Sequence, residues 1–132
     1  MDKETRWRQR FENLDRAFLR LASAISDFKN LSVLEKEGMV QRFEYTFELT
    51  WKTLKDYLEA KEVDATFPRD VIKKAFQYGV IQDGEVWMDM LEKRNLLAHT
   101  YNEERFNFAV NKIKDEYYAA IAQVHGFLEA KR

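Results

Sequence analysis

The stretch WRQRFENLDRAFLRLASAISDF, residues 7–28, decides the fold class. Its apolar residues include Trp7, Phe11, Leu14, Phe18, Leu21, Ile25 and Phe28. The steps between them run four, three, four, three, four, three, a seam along one face of a long helix. The spacing predicts a helix from Thr5 to Lys29, with Asn30 as its stop. Ser32 then precedes Glu35 by three residues, the spacing of a capping box. Val40, Phe43, Phe47, Trp51, Leu54 and Leu58 repeat the stripe, so a second helix is expected from Val33 to Ala60. Gly38 weakens its first turns. Glu44, Glu48, Lys52 and Asp56 form the opposite face, read as a solvated row with favourable neighbours four apart.

Lys61 to Phe67 is a polar connection. Pro68 suits the first turn of a short third helix reaching Tyr78, with Gly79 as its left-handed stop. Val71, Ile72, Ala75 and Phe76 are its apolar face. Val80 to Gly84 reads as a loop in which Asp83 caps a fourth helix from Glu85. That helix turns Trp87, Met90, Leu91, Leu97 and Ala98 inward. Asn102 opens the last helix, with Glu103 and Glu104 at its positive end. Its seam is Phe106, Val110, Ile113, Tyr117, Ala120, Val124 and Phe127. Short connections favour antiparallel neighbours. The expected fold is all-α: an antiparallel up-and-down four-helix bundle with one short extra helix, a single domain over 1–132.

Composition agrees and removes several functions. One Pro and four Gly are too few turn-formers for a many-stranded β protein. With no Cys there is no disulfide framework, thiolate zinc site or thiol nucleophile. The net charge of -1 argues against a protein held on nucleic acid by bulk positive charge, though not against a local basic site. MDKETRWRQRF has neither the apolar core nor the small-residue cleavage site of a secretory signal. No run approaches the ~18 apolar residues of a membrane span. The chain is expected to be cytoplasmic, with no membrane association.

There is no Walker loop, GxGxxG, HExxH or calcium loop. The Gly-Ser turn and paired aspartates of a nucleotidyltransferase are absent, so the chain is not itself such an enzyme. No metal site and no cofactor is expected. What remains is EKRNLLAHTY, residues 92–101, which holds Arg94, His99 and Tyr101. Arginine is a permanently charged fork for phosphate oxygens. Histidine moves a proton near neutral pH. Tyrosine offers a hydroxyl as donor or as acceptor of a transferred group. On a continuous helix Arg94 and Tyr101 lie about 20° apart, but Arg94 and His99 about 140°. Either the helix breaks near His99 or a second chain completes the site, and a cap at Asn102 favours the break. On spacing alone a plainer reading prevails: cations at a helix C-terminus and a core tyrosine with its hydroxyl at the surface.

Resemblance reverses that balance. RNLLAHTY resembles the Arg-x4-His-x-Tyr motif of HEPN domains, specifically of HepT-type proteins, and Asn95 after the arginine matches as a supporting motif residue. RFEYTFELTWKTLKDYL (Arg42 to Leu58) is similar to the second helix of the nucleotidyltransferase substrate-binding protein family, a branch of the same superfamily. FPRDVIKKAFQYGVI and WMDMLEKRN fit it too. The resemblance implies a four-helix bundle that forms homodimers across a motif-lined cleft. It implies a cognate minimal nucleotidyltransferase as partner. In toxin–antitoxin pairs of this kind the bundle is a metal-independent endoribonuclease acting on RNA, with Arg94 and His99 as the catalytic residues. The nucleotidyltransferase is the antitoxin and adenylylates the motif tyrosine, here Tyr101. The alternative is a non-catalytic substrate-binding subunit of a two-component nucleotidyltransferase.

The remaining candidates have plainer explanations. His125, before Gly126, reads as a cation at a helix C-terminus. Lys3, Arg6, Arg8 and Arg10 read as a solvated face, with RNA phosphate contact the sharper alternative. Trp7, Trp51 and Trp87 read as core or dimer contact. Glu48 could orient a catalytic group, but its position on the polar face favours a surface role.

Overall fold

Asp2 opens the first helix. Its carboxylate accepts a hydrogen bond from the Thr5 backbone N–H at 2.7 Å, satisfying one of the donors a helix start leaves unpaired. That hydrogen bond holds the Asp2 carboxyl below its usual range. The computed structural model describes residues 1–98 and 102–132, with the backbone alone for residues 95–98. Helix α1 (Lys3–Ser26) buries Trp7, Phe11, Leu14, Phe18 and Leu21 of the seam expected of it, while Ile25 and Phe28 are only partly buried. It stops three residues before Lys29. The Asp27 N–H still reaches Ser23 O, but the chain then tightens into a 3-10 turn, Phe28–Asn30. Asn30 closes the helical run as expected.

Helix α2 (Val33–Ala60) starts with the full capping box: Ser32 Oγ accepts from Glu35 N, and Glu35 Oε1 accepts from Ser32 N. α2 is the hub, packing against α1 and every later α-helix. Its contact with α1 contains a strip that apolar spacing does not show. Thr46, Thr50 and Thr53 are fully buried. Their hydroxyls donate to the carbonyls of Arg42, Thr46 and Leu49 one turn back. A buried threonine satisfied this way fits a close helix pair and leaves no orphaned polar group. The row Glu44, Glu48, Lys52 and Asp56 is not uniformly solvated. Asp56 is buried, and Arg10 Nε donates to it at 2.6 Å.

Helix α3 (Pro68–Gln77) begins with Pro68 in its first turn and buries Val71, Ile72 and Ala75. Phe76, expected on that face, is 53% exposed. Gly79 has φ +79°. The Val80 N–H bonds Ala75 O and the Gly79 N–H bonds Phe76 O, the paired closure of a Schellman motif. This ends α3 at Gln77, one residue early, and drives Val80 and Ile81 into the core. Because a side chain is strained on left-handed backbone, Gly79→Ala is expected to cost about 1–2 kcal/mol. Urea titration checks this: a lower midpoint with an unchanged slope.

Helix α4 (Gly84–Ala98) is capped by Asp83, whose Oδ1 accepts from Val86 N at 3.2 Å. It buries Trp87 and Met90, whereas Leu91, also expected inward, is only partly buried. The inward placement expected for Leu97 and Ala98 lies outside the described side chains. Asn102 has extended backbone, and its side chain accepts from Arg105 N, so a new helix starts there as expected. Its rod consists of α5 (Glu103–Lys112), a π turn (Ile113–Tyr117) and α6 (Tyr118–Lys131). The regular seam from Phe106 to Phe127 gave no sign of that π turn. One core cluster draws residues from all these helices. Among the described residues no helix is long and apolar enough to cross a membrane.

The π turn holds Tyr117 in the core with its hydroxyl donating to Asp89 Oδ2 of α4 at 2.5 Å. Burial, then Asp89, pushes the Tyr117 phenol well above its usual value of 10.0. Burial raises the Asp89 carboxyl, but its bonds from Tyr117 and Lys93 outweigh that and leave it lowered. Between the unfolded and folded phenol values the native state holds a proton that the unfolded chain releases. Stability therefore falls as pH rises above about 10. Tyr117→Phe is expected to flatten this alkaline decline, measured by urea midpoints from pH 9 to 11. An unchanged slope would contradict it.

Candidate functional site

Packing of α4 on α2 places Arg94. Phe47 and Trp87 are fully buried with ring centroids 5.7 Å apart, which fixes the two helices against each other. Just beyond that contact the Arg94 guanidinium lies 5.8 Å from the centre of the Phe47 ring. Arg94 Nη1 donates to Glu48 Oε1 at 2.6 Å. The other carboxylate oxygen of Glu48 accepts from the indole Nε1 of Trp51 at 2.8 Å. Glu48 is thus held by two donors, one from each helix. From sequence alone its place on the polar face favours a surface role over an orienting one. A usable signal was present: a carboxylate one residue after a core phenylalanine and three before a tryptophan with an N–H to donate.

Gln41, Glu44, Tyr45 and Glu48 recur at helical spacing on α2. With Arg94 they line a groove of about 390 Å³. A larger cavity of about 720 Å³ lies between α3 and α4, with Ile72, Phe76 and Met88 among its lining. Gly84 lets the start of α4 approach α3 at this cavity: a Cβ would stand 3.1 Å from Phe76 Cδ2. Asp83, Glu85, Asp89 and Glu92 line it against Lys73 alone, so its field repels a phosphate. Size favours the cavity, but the chemistry of phosphate recognition favours the groove beside Arg94.

Of the four motif residues, Arg94 alone is described with its side chain. His99 and Tyr101 lie outside the described residues, as does the side chain of Asn95. His125 is not at a helix terminus, because α6 continues to Lys131. Its ring stacks on Phe18 at 4.2 Å and Phe11 at 5.2 Å, and Nε2 lies 2.7 Å from Asp15 Oδ1. It ties α6 to α1. The basic N-terminal face is also structural: Arg6 pairs with Glu59, Arg8 with Glu4 and Arg10 with Asp56. Trp7 and Trp87 are core, whereas Trp51 is only partly buried.

The family described as nucleotidyltransferase substrate binding protein like matches residues 9–130. A curated relative, a probable ribonuclease HepT of Haemophilus influenzae, is 29% identical over 83 residues. That alignment takes in 59% of this chain and 57% of the relative, so the chain spans little more than half of that protein. A crystal structure of a Thermus thermophilus protein superposes with a TM-score of 0.78 at 33% identity. The match covers 86% of this chain and 96% of that one. The Haemophilus influenzae protein HI0074 superposes with a TM-score of 0.75 at 28% identity, covering 90% and 98% of the two chains. That structure is described as the fold of a substrate binding domain of a nucleotidyltransferase.

Proposed function

The chain belongs to the nucleotidyltransferase substrate binding protein like family, and from its similarity to a probable ribonuclease HepT we propose that it is a metal-independent endoribonuclease paired with a minimal nucleotidyltransferase. The observation that carries the proposal is Arg94. The motif arginine lines a groove, anchored by Glu48 on one side and the Phe47 ring on another. Arginine has five N–H donors, so a single bond to Glu48 leaves others for a phosphate.

In the proposed reaction His99 takes the proton of a ribose 2′-hydroxyl. The 2′ oxygen bonds to the adjacent phosphorus, and the bond to the 5′ oxygen breaks. That oxygen takes a proton from water, and His99 returns the 2′-hydroxyl proton to solvent, so no proton is gained or lost overall. The products are a 2′,3′-cyclic phosphate and a 5′-hydroxyl. Arg94 stabilises the charge that builds on the phosphoryl oxygens. Two copies facing each other would complete the cleft. The nucleotidyltransferase would silence the enzyme by moving AMP from ATP to the Tyr101 hydroxyl. A phenolic oxygen–phosphorus bond forms there and pyrophosphate leaves.

The second reading, a non-catalytic subunit presenting substrate to the nucleotidyltransferase, is favoured by the family's name and by the description of HI0074. Expression separates the two. A nuclease toxin is expected to arrest growth when expressed alone, to be relieved by His99→Ala, and to be relieved by the co-expressed nucleotidyltransferase. A binding subunit leaves growth unchanged and co-purifies with that partner.

A further inference from the structure

We propose that Glu48 is the positioning residue for Arg94, fixing the guanidinium so that its remaining N–H donors are presented to the groove. This rests on the reading of Arg94 as the group that meets the phosphate. Three contacts define the bracket. Glu48 Oε1 accepts from Arg94 Nη1 at 2.6 Å. Glu48 Oε2 accepts from Trp51 Nε1 at 2.8 Å. The Phe47 ring lies under the guanidinium at 5.8 Å.

The arrangement is more specific than an ordinary surface ion pair. A lone carboxylate on a helix face rotates among several rotamers. Here both oxygens are held, and the Trp51 bond comes from the same helix as Glu48, three residues on. Glu48 is therefore fixed by α2 whether or not Arg94 engages it, and it acts as a preset receptor for the arginine of α4. The pair has side-chain exposures of 25% for Arg94 and 40% for Glu48. Ion pairs this exposed contribute little to folding. Their geometric effect survives: a long, rotamer-rich arginine is confined before substrate arrives, and preorganised charge is what stabilises a transition state.

The test measures RNA cleavage by the full chain in EDTA for Glu48→Ala, Glu48→Gln and Trp51→Phe, each alone and combined with Arg94→Ala. Glu48→Ala is expected to lower kcat about 10- to 100-fold, with KM changed less than about twofold. Trp51→Phe keeps an aromatic ring but removes the donor, and is expected to shift kcat the same way by less. Glu48→Gln is expected to fall between the parent and Glu48→Ala. In the Arg94→Ala background, Glu48→Ala is expected to have no further effect, as for residues acting through one group. The side-chain N–H resonances of Arg94 give a readout independent of activity. They are expected to be separately resolved in the parent and averaged in Glu48→Ala. A wild-type kcat in Glu48→Ala beside an inactive Arg94→Ala overturns the positioning role alone. So does an equal loss in both backgrounds. An Arg94→Ala chain that cleaves like the parent overturns the reading of the site, and the positioning role with it.

Discussion

Arg94→Ala is expected to lower RNA cleavage about 10²- to 10³-fold, and His99→Ala about 10²- to 10⁴-fold. The two losses have different causes. Removing the guanidinium takes away charge aimed at the phosphoryl oxygens, an effect strongest where water is excluded. Removing the imidazole takes away the group that carries the 2′-hydroxyl proton. Arg94→Lys is informative because it keeps the charge. Glu48 and Phe47 present a planar fork, and a lysine ammonium cannot reproduce bidentate geometry. Arg94→Lys should therefore recover only a minor part of the loss. Melting temperature should barely move in Arg94→Ala, because its ion pair is partly exposed. Initial rates on a fluorescent RNA in EDTA, beside thermal melts, check both points. Full activity in His99→Ala would refute its assignment as the proton carrier.

Phe47→Ala is expected to destabilise the chain by about 3–5 kcal/mol. Phe47 is fully buried, packs on Phe43 at 6.3 Å and Trp87 at 5.7 Å, and lies where α2 meets α4. Domains of this kind are stable by only about 5–15 kcal/mol in total. The variant should lose about 10–20 °C of melting temperature. Phe47→Leu separates packing from chemistry. It keeps most of the volume and should cost less than about 1.5 kcal/mol. It also removes the ring beneath the Arg94 guanidinium, so its activity should fall more than its stability does. Calorimetry and cleavage assays on the two variants check this. A leucine variant as active as the parent would show that the ring contributes packing alone.

What could be read from sequence follows from the range of the interactions involved. Helices α1 and α2 were legible because each writes its buried face as apolar steps of three and four. Caps were legible because Ser32, Asp83 and Asn102 act within three residues of themselves. Gly79 was legible because a left-handed stop requires its lack of a side chain. What escaped depends on partners distant in the chain. Asp56 looks like any surface carboxylate until Arg10, 46 residues away, is brought against it. His125 finds Asp15 across 110 residues. Phe76 continues the apolar face of α3 in sequence, but in the fold it is half exposed and lines a cavity. The π turn has no local signature, since the step of four from Ile113 to Tyr117 suits an α turn as well as a π turn. At the site, residue chemistry identified Arg94, whereas Glu48 needed the fold to show that its two oxygens meet Arg94 and Trp51.

The charge balance sets a further expectation for the site. With a net charge of -1 and two groove glutamates, the chain has no broad basic field to hold RNA. Binding should depend on a small number of phosphate contacts. The logarithm of the affinity for single-stranded RNA should then fall with the logarithm of salt by the slope of one or two contacts, about -0.7 to -1.4.

The decisive experiment is RNA cleavage in EDTA by the purified chain, after intact mass has shown that it carries no added AMP. Cleavage leaving 2′,3′-cyclic phosphate ends is expected, and it should be abolished in both Arg94→Ala and His99→Ala. A chain of unmodified mass that cleaves no RNA would contradict the nuclease assignment, and would leave the groove beside Arg94 as a binding site serving the nucleotidyltransferase.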